Sequence, residues 1–163
     1  MLISSIKELC CDKYIGSKRA LCIDYGNKRI GLAISDIDWL IASPLKVLKS
    51  CGVFAELFKI IKENSIGLIV IGMPKALNGG IDGKQLEKVK KFADKLIELS
   101  EENSLNIDVL YWDERLSTNA ADRILRELDI KRNKYKQNID KIAASFILQG
   151  VLDYVCYKSL KYT

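Results

Sequence analysis

Three separated segments of this 163-residue chain place an acid at the border of an apolar run: Ile23-Asp24-Tyr25-Gly26, Tyr111-Trp112-Asp113-Glu114-Arg115 and Asn138-Ile139-Asp140-Lys141-Ile142-Ala143-Ala144. Carboxylates just beyond a strand, or on the inward stripe of a helix, are costly to desolvate, so a protein that keeps several together commonly neutralises them with a divalent cation. The chain contains no histidine. That removes the usual general base, the Ser-His and Cys-His nucleophile pairs, and the imidazole ligands of most zinc sites. Oxygen-only ligation favours magnesium or manganese.

Each acid needs an element to position it. Ala20-Leu21-Cys22-Ile23 has strand character, Asp24-Tyr25-Gly26-Asn27-Lys28 supplies turn residues, and Ile30-Gly31-Leu32-Ala33-Ile34-Ser35 resumes the strand, which predicts a β-hairpin with Asp24 at its mouth. Gly26 and Asn27 suit positive φ in the turn, and Lys28 and Arg29 leave two cations near the carboxylate. A turn-capping Asp beside two solvated cations remains the plain alternative. Ile107, Val109 and Tyr111 share one face at period two, so Asp113 and Glu114 fall at a strand end. Ser117 or Thr118 then reads as the N-cap of a helix carrying Ala120, Ala121, Ile124, Leu125 and Leu128. The alternative is a surface ion pair of Glu114 with Arg115 or Arg123, of little energetic weight. On a helix beginning near Asn138, Asp140 shares a stripe with Ala143, Ala144, Ile147 and Val151, and its small neighbours allow close approach to a sheet. An acid favoured by the helix dipole is the competing explanation.

The rest of the chain predicts a mixed α/β sandwich. A third strand runs from Trp39-Leu40-Ile41 through Val47-Leu48 with an interruption at Pro44; Val53, Phe54, Leu57, Ile60 and Ile61 mark a helix. Leu68-Ile69-Val70-Ile71 is a continuous apolar run suited to a central strand covered on both faces. From about Gly83, Leu86, Val89, Phe92, Ala93, Leu96 and Ile97 share one helical side. A meander followed by alternating strands and helices gives a mixed central sheet with helices on both faces.

In order along the chain, Ile23-Asp24-Tyr25-Gly26-Asn27-Lys28-Arg29-Ile30-Gly31-Leu32-Ala33-Ile34-Ser35-Asp36, Ala42-Ser43-Pro44-Leu45, Ile71-Gly72-Met73-Pro74, Asp113-Glu114-Arg115-Leu116-Ser117-Thr118 and Asp140-Lys141-Ile142-Ala143-Ala144 to Ile147-Leu148-Gln149 closely resemble the YqgF family. Its members are called pre-16S rRNA nucleases or Holliday-junction-resolvase homologues. The resemblance covers about Ala20 to Asp153 and implies a ribonuclease-H-like fold in which Asp24, Glu114 and Asp140 correspond to the acidic active-site residues. It departs from the family at Ile81, in the Lys75 to Gly83 turn, and in the stretch Met1 to Arg19. Residues 1–19 are thus expected as an N-terminal extension and 20–163 as a single nuclease domain.

Composition agrees. A 48% hydrophobic chain of this length can bury one core, and no apolar stretch approaches twenty residues. The first residues lack a basic leader and suggest a turn or two of amphipathic helix from Ile3, Ile6, Leu9 and Cys10. Five cysteines without a Cys-x-x-Cys pair support neither a disulfide framework nor a thiolate zinc site, and suit a reducing cytoplasm. Cys22 and Cys156, in a strand and a helix, read as small hydrophobes.

Net charge is +5, and Lys131, Arg132, Lys134, Lys136 and Lys141 crowd the approach to Asp140, as a phosphate-tracking segment would; a solvated loop is the bland reading. The sequence therefore predicts a nuclease that hydrolyses phosphodiesters with two magnesium or manganese ions held by Asp24, Glu114 and Asp140. Asp113, Asp36 and Asp82 are second choices. Lys28, Arg29 and Arg115 are placed to neutralise phosphate. The resemblance implies structured RNA as partner, namely the 5′ end of the small-subunit rRNA precursor in a ribosomal precursor particle, with branched DNA as the alternative substrate. A non-catalytic RNA-binding role in ribosome assembly is a further alternative, needing the basic segment but not the acids.

Overall fold

The computed structural model describes residues 2, 3, 6, 9, 11–73, 83–113 and 132–161, with backbone only at 11, 113, 132–139 and 159–161. Strands β1 (Leu2–Ile3), β2 (Arg19–Tyr25), β3 (Arg29–Ser35), β4 (Ala42–Lys49), β5 (Ile66–Met73) and β6 (Asp108–Asp113) form one sheet in the order β1-β6-β5-β2-β3-β4. Helices α1 (Val53–Glu63) and α2 (Gly83–Glu102) link β4 to β5 and precede β6, and α3 (Arg132–Lys161) follows. The β2-β3-β4 meander is antiparallel, whereas β2, β5, β6 and β1 are mutually parallel neighbours. The sheet is mixed, as the order of apolar runs predicts.

Period-two alternation divides the core into two layers. Leu21, Ile23, Ile30, Leu32, Ile69 and Ile71 pack with Leu57 of α1 and Phe92 and Leu96 of α2. Ala20, Cys22, Ala33, Val70, Leu110 and Trp112 face the other way, against Ala144, Leu148 and Val151 of α3. β5 contributes to both layers, and Leu68 to Ile71 are completely buried, which is why its sequence is uninterruptedly apolar. Pro44 sits opposite Ala33 beside a register shift, on the edge strand where a missing N–H is tolerated.

The start of the chain departs from the sequence expectation. Leu2–Ile3 is a strand, pairing with Val109 and Leu110, rather than part of an amphipathic helix. Ile3 and Leu9 are buried in the α3-side layer together with Tyr14. Tyr14 stacks on Trp39 (5.4 Å between centroids, 14°), and Trp39 Nε1 donates to Lys18 O at 2.8 Å. Tyr14 Oη also donates to Asp108, whose Oδ2 lies 2.7 Å from Lys13 Nζ. Cys22 is buried as expected, but Cys156 is exposed; Cys22, Cys51 and Cys156 are all free thiols.

Asp108 is 3% exposed. Burial alone would raise its carboxyl pKa, but the hydrogen bonds from Lys13 and Tyr14 outweigh that and hold it below the ordinary carboxylate value. A depressed folded-state pKa means the stabilisation is present above the unfolded value of about 3.9 and is lost as pH falls through the folded one. Asp108→Asn should cost about 2 kcal/mol at neutral pH. Urea denaturation at a series of pH values should also show a flatter acid limb than the parent; parallel limbs would remove Asp108 as the responsible group.

Candidate active site

Asp24 lies one residue before the end of β2, and its alternation with Ala20 and Cys22 places it on the sheet face that α3 covers. Its partner in the ladder is Gly31 of β3. A Cβ built on Gly31 would lie 2.0 Å from the Asp140 carbonyl oxygen, 2.3 Å from its carbon and 2.9 Å from Lys141 N. Only glycine admits that approach. Hence α3 rests on β3 at the point laterally opposite Asp24, and Asp140 arrives on the same face.

Arg29, two residues before Gly31, shares that face. Its Nε is 3.0 Å from Asp140 Oδ2. The same Oδ2 is buried without a hydrogen bond. The two charges attract at that distance, but no N–H is aimed at the oxygen. A buried, under-coordinated carboxylate oxygen next to a second acid fits a divalent cation.

The turn that carries Arg29 is braced from several sides. Gly26 N–H donates to Arg29 O at 3.0 Å, and Ser50 binds the turn twice, Oγ to Gly26 O at 2.8 Å and N to Lys28 O at 3.2 Å. From α2, Gln85 Nε2 donates to Tyr25 O at 3.3 Å and Lys88 Nζ to Asn27 Oδ1 at 2.9 Å. Neither Gly26 nor Asn27 adopts positive φ, contrary to the expectation for this turn. Glycine is needed at 26 for space: a Cβ there would fall 2.5 Å from Arg29 O.

The structure brings together Asp24, Arg29 and Asp140 from the expected set, with Lys28 exposed at the turn. Glu114, Arg115, Lys131 and Asp82 lie outside the described residues, as does the helix expected from Ser117 or Thr118. Asp113 closes β6, and Arg132, Lys134 and Lys136 lie on the backbone of α3. That helix starts at Arg132 rather than near Asn138, because the intervening Arg, Lys, Tyr and Gln residues contain no breaker. Asp36 is excluded: its Oδ1 accepts from Leu40 N (2.7 Å) and Ile41 N (2.8 Å) in the β3–β4 loop, at the far end of the sheet. Among the described residues no three potential metal ligands cluster. Sequence reasoning missed Gly31 as the contact that sets the site; a glycine inside an apolar strand was its signal.

The profile of the family described as "RuvX: Holliday junction resolvase" matches residues 18–154. The chain belongs to the RuvX family. A relative from Staphylococcus epidermidis with the name "Putative pre-16S rRNA nuclease" is 45% identical over 141 residues, covering 83% of this chain and 95% of that one. One of the same name from Clostridioides difficile is 45% identical over 139 residues, covering 83% and 94%. Among solved structures, Thermus thermophilus RuvC in complex with a Holliday junction substrate superposes with a TM-score of 0.51 at 13% identity, over 80% of this chain and 91% of that one. The yeast mitochondrial Holliday junction resolvase Ydc2 gives 0.50 at 12% identity, over 97% and 88%. The RuvX member described here has the ribonuclease-H-like α/β fold of these neighbours.

The contact at Gly31 has a direct test. Gly31→Ala should force α3 away from β3 and cost about 1 to 3 kcal/mol, the range for overpacking a tight contact. Chemical denaturation would measure the loss, and a stability equal to the parent's would mean that the backbones are not in contact.

Proposed function

We propose that this chain is a divalent-metal-dependent nuclease that hydrolyses phosphodiester bonds in structured RNA, processing the 5′ end of the small-subunit (pre-16S) rRNA precursor in the cytoplasm, on a ribosomal precursor particle. The observation that carries the reading is the placement of Asp140 by the Gly31 contact on the same face as Asp24, with its Oδ2 buried and lacking a hydrogen bond. The names of the relatives, at 45% identity over most of the chain, support the RNA substrate.

Asp24, Asp140 and Glu114 are the proposed ligands of magnesium or manganese. Bound ions would supply Lewis-acid stabilisation for phosphodiester hydrolysis. Arg29, already at the acid pair, and Lys28 beside it would bind and orient the phosphate, with Arg115 a further cation of the site. α3 runs from Gln149, which binds Leu40 O and Ala42 N at the far end of the sheet, past Asp140 toward the catalytic end. Its backbone continues about 12 Å beyond Asp140 to Arg132. Lys131, Arg132, Lys134 and Lys136 are proposed to track the nucleic-acid backbone there.

Branched DNA is the second reading, favoured by the family description and the junction-bound RuvC neighbour. Purified protein with magnesium or manganese, offered an rRNA precursor and a four-way DNA junction, separates the two. Cleavage of neither would leave an RNA-binding assembly factor.

Asp24→Asn and Asp140→Asn should abolish cleavage while leaving the protein folded in metal-free buffer, the relief of repulsion between acids offsetting, for Asp140, the lost contact with Arg29. Both should lose the stabilisation that magnesium or manganese gives the parent. If Asp140→Asn instead unfolds the protein and Asp24→Asn keeps full metal stabilisation, Asp140 is a structural acid and the site is misassigned. With no histidine in the chain, the cleavage rate should climb steadily with pH. An inflection near about 6.5 in every metal would contradict this chemistry.

A further inference from the structure

The tip of the β2–β3 hairpin is surrounded by lysines, of which only Lys28 has a part in the phosphate site proposed above. Lys49 is the register partner of Arg29 across β3 and β4, so it lies on the face of the Arg29–Asp140 pair. Lys28 occupies the turn itself. On the other side of the tip, Lys88 donates to Asn27 Oδ1 at 2.9 Å, and Lys84 lies one helical turn before it on α2. All four are exposed. Positive charge thus runs in a band from the α3 face, over the hairpin tip, to the α2 face.

The acids nearest the band are engaged with lysines outside it. Glu56 engages Lys46, and Glu87 lies 2.7 Å from Lys91. Lys28 and Lys49 form no ion pair among the described residues, and Lys88 meets the neutral Asn27. Lysines four apart on a helix face, such as Lys84 and Lys88, are mildly unfavourable to the fold. The support beneath them is rigid, because Ser50, Gln85 and Lys88 fasten the turn from both flanks. Preorganised cations on a braced turn suit an extended polyanion.

We propose that Lys28, Lys49, Lys84 and Lys88 form a second nucleic-acid-binding surface, which takes the sugar-phosphate backbone of the strand leaving the acid pair across the hairpin tip and onto α2. It lies across the acid pair from the N-terminal segment of α3, so substrate is gripped on both sides of the scissile bond. The proposal rests on the nuclease reading for where that strand begins.

The test is binding of a labelled RNA duplex across a salt series without divalent cations, using the triple variant Lys49→Gln, Lys84→Gln, Lys88→Gln. The slope of log affinity against log salt should become shallower by about 2 to 3, with affinity at moderate salt down by tenfold or more. The same number of charges removed at the far end, by Lys18→Gln, Lys59→Gln and Lys62→Gln, should change the slope by less than about 1. The corresponding triple arginine variant should bind as the parent does, which separates lost charge from a loosened hairpin. An unchanged slope in the band variant, or equal losses in the two glutamine triples, overturns the proposal. Cleavage that survives Asp24→Asn would instead sink the nuclease site, and these binding data would stand.

Discussion

At Gly31 the backbone of α3 lies against the backbone of β3 with no side chain between them, a separation that any Cβ would violate. Helices ordinarily stand off a sheet on their side chains, and here the stand-off vanishes at one point. The small residues around the contact, Ala143, Ala144 and Ser145, allow it, while Leu148, Val151 and Leu152 hold the helix further along. Because Asp24 pairs with Gly31 in the ladder, the contact brings Asp140 onto the sheet face that carries Asp24. The placement of Asp140 is thus a product of packing, held by apolar burial elsewhere on α3.

The opposite end of the sheet is organised by a buried acid with an ordinary structural role. Asp108, Lys13 and Tyr14 tie the first residues of the chain to β6, while Tyr14 stacks on Trp39 of the β3–β4 loop. The acids at the two ends illustrate the difference between satisfied and unsatisfied burial. Asp108 meets donors that favour its charged form, whereas Asp140 Oδ2 has a nearby guanidinium and no aligned donor.

Much of the fold is legible in local pattern. The hairpin around Asp24, the doubly buried β5 and helices α1 and α2 follow from period and punctuation, because each buries a face defined by residues close in sequence. The start of the chain was not legible: Ile3, Ile6 and Leu9 have helical spacing, yet Leu2–Ile3 is recruited as a strand by β6, a partner distant in sequence. The early start of α3 carried no capping signal. In the site, Asp24 and Asp140 could be singled out as acids bordering apolar runs, but not the hand of Arg29 on Asp140, since strand β3 and helix α3 meet only in three dimensions. The lysine band is illegible for the same reason, its members coming from a turn, an edge strand and a helix.

The parallel pairing of Leu2 with Val109 also sets an order of events during synthesis. The meander of β2, β3 and β4 needs only neighbouring chain and can form early, and β5 can then add to β2. The first strand must wait until β6 has left the ribosome, about ten seconds at ordinary elongation rates. Through that interval the apolar side chains of Ile3, Leu9 and Tyr14 have no finished layer to enter. A segment made before β2 is therefore secured only after β6, and its docking completes that edge of the sheet.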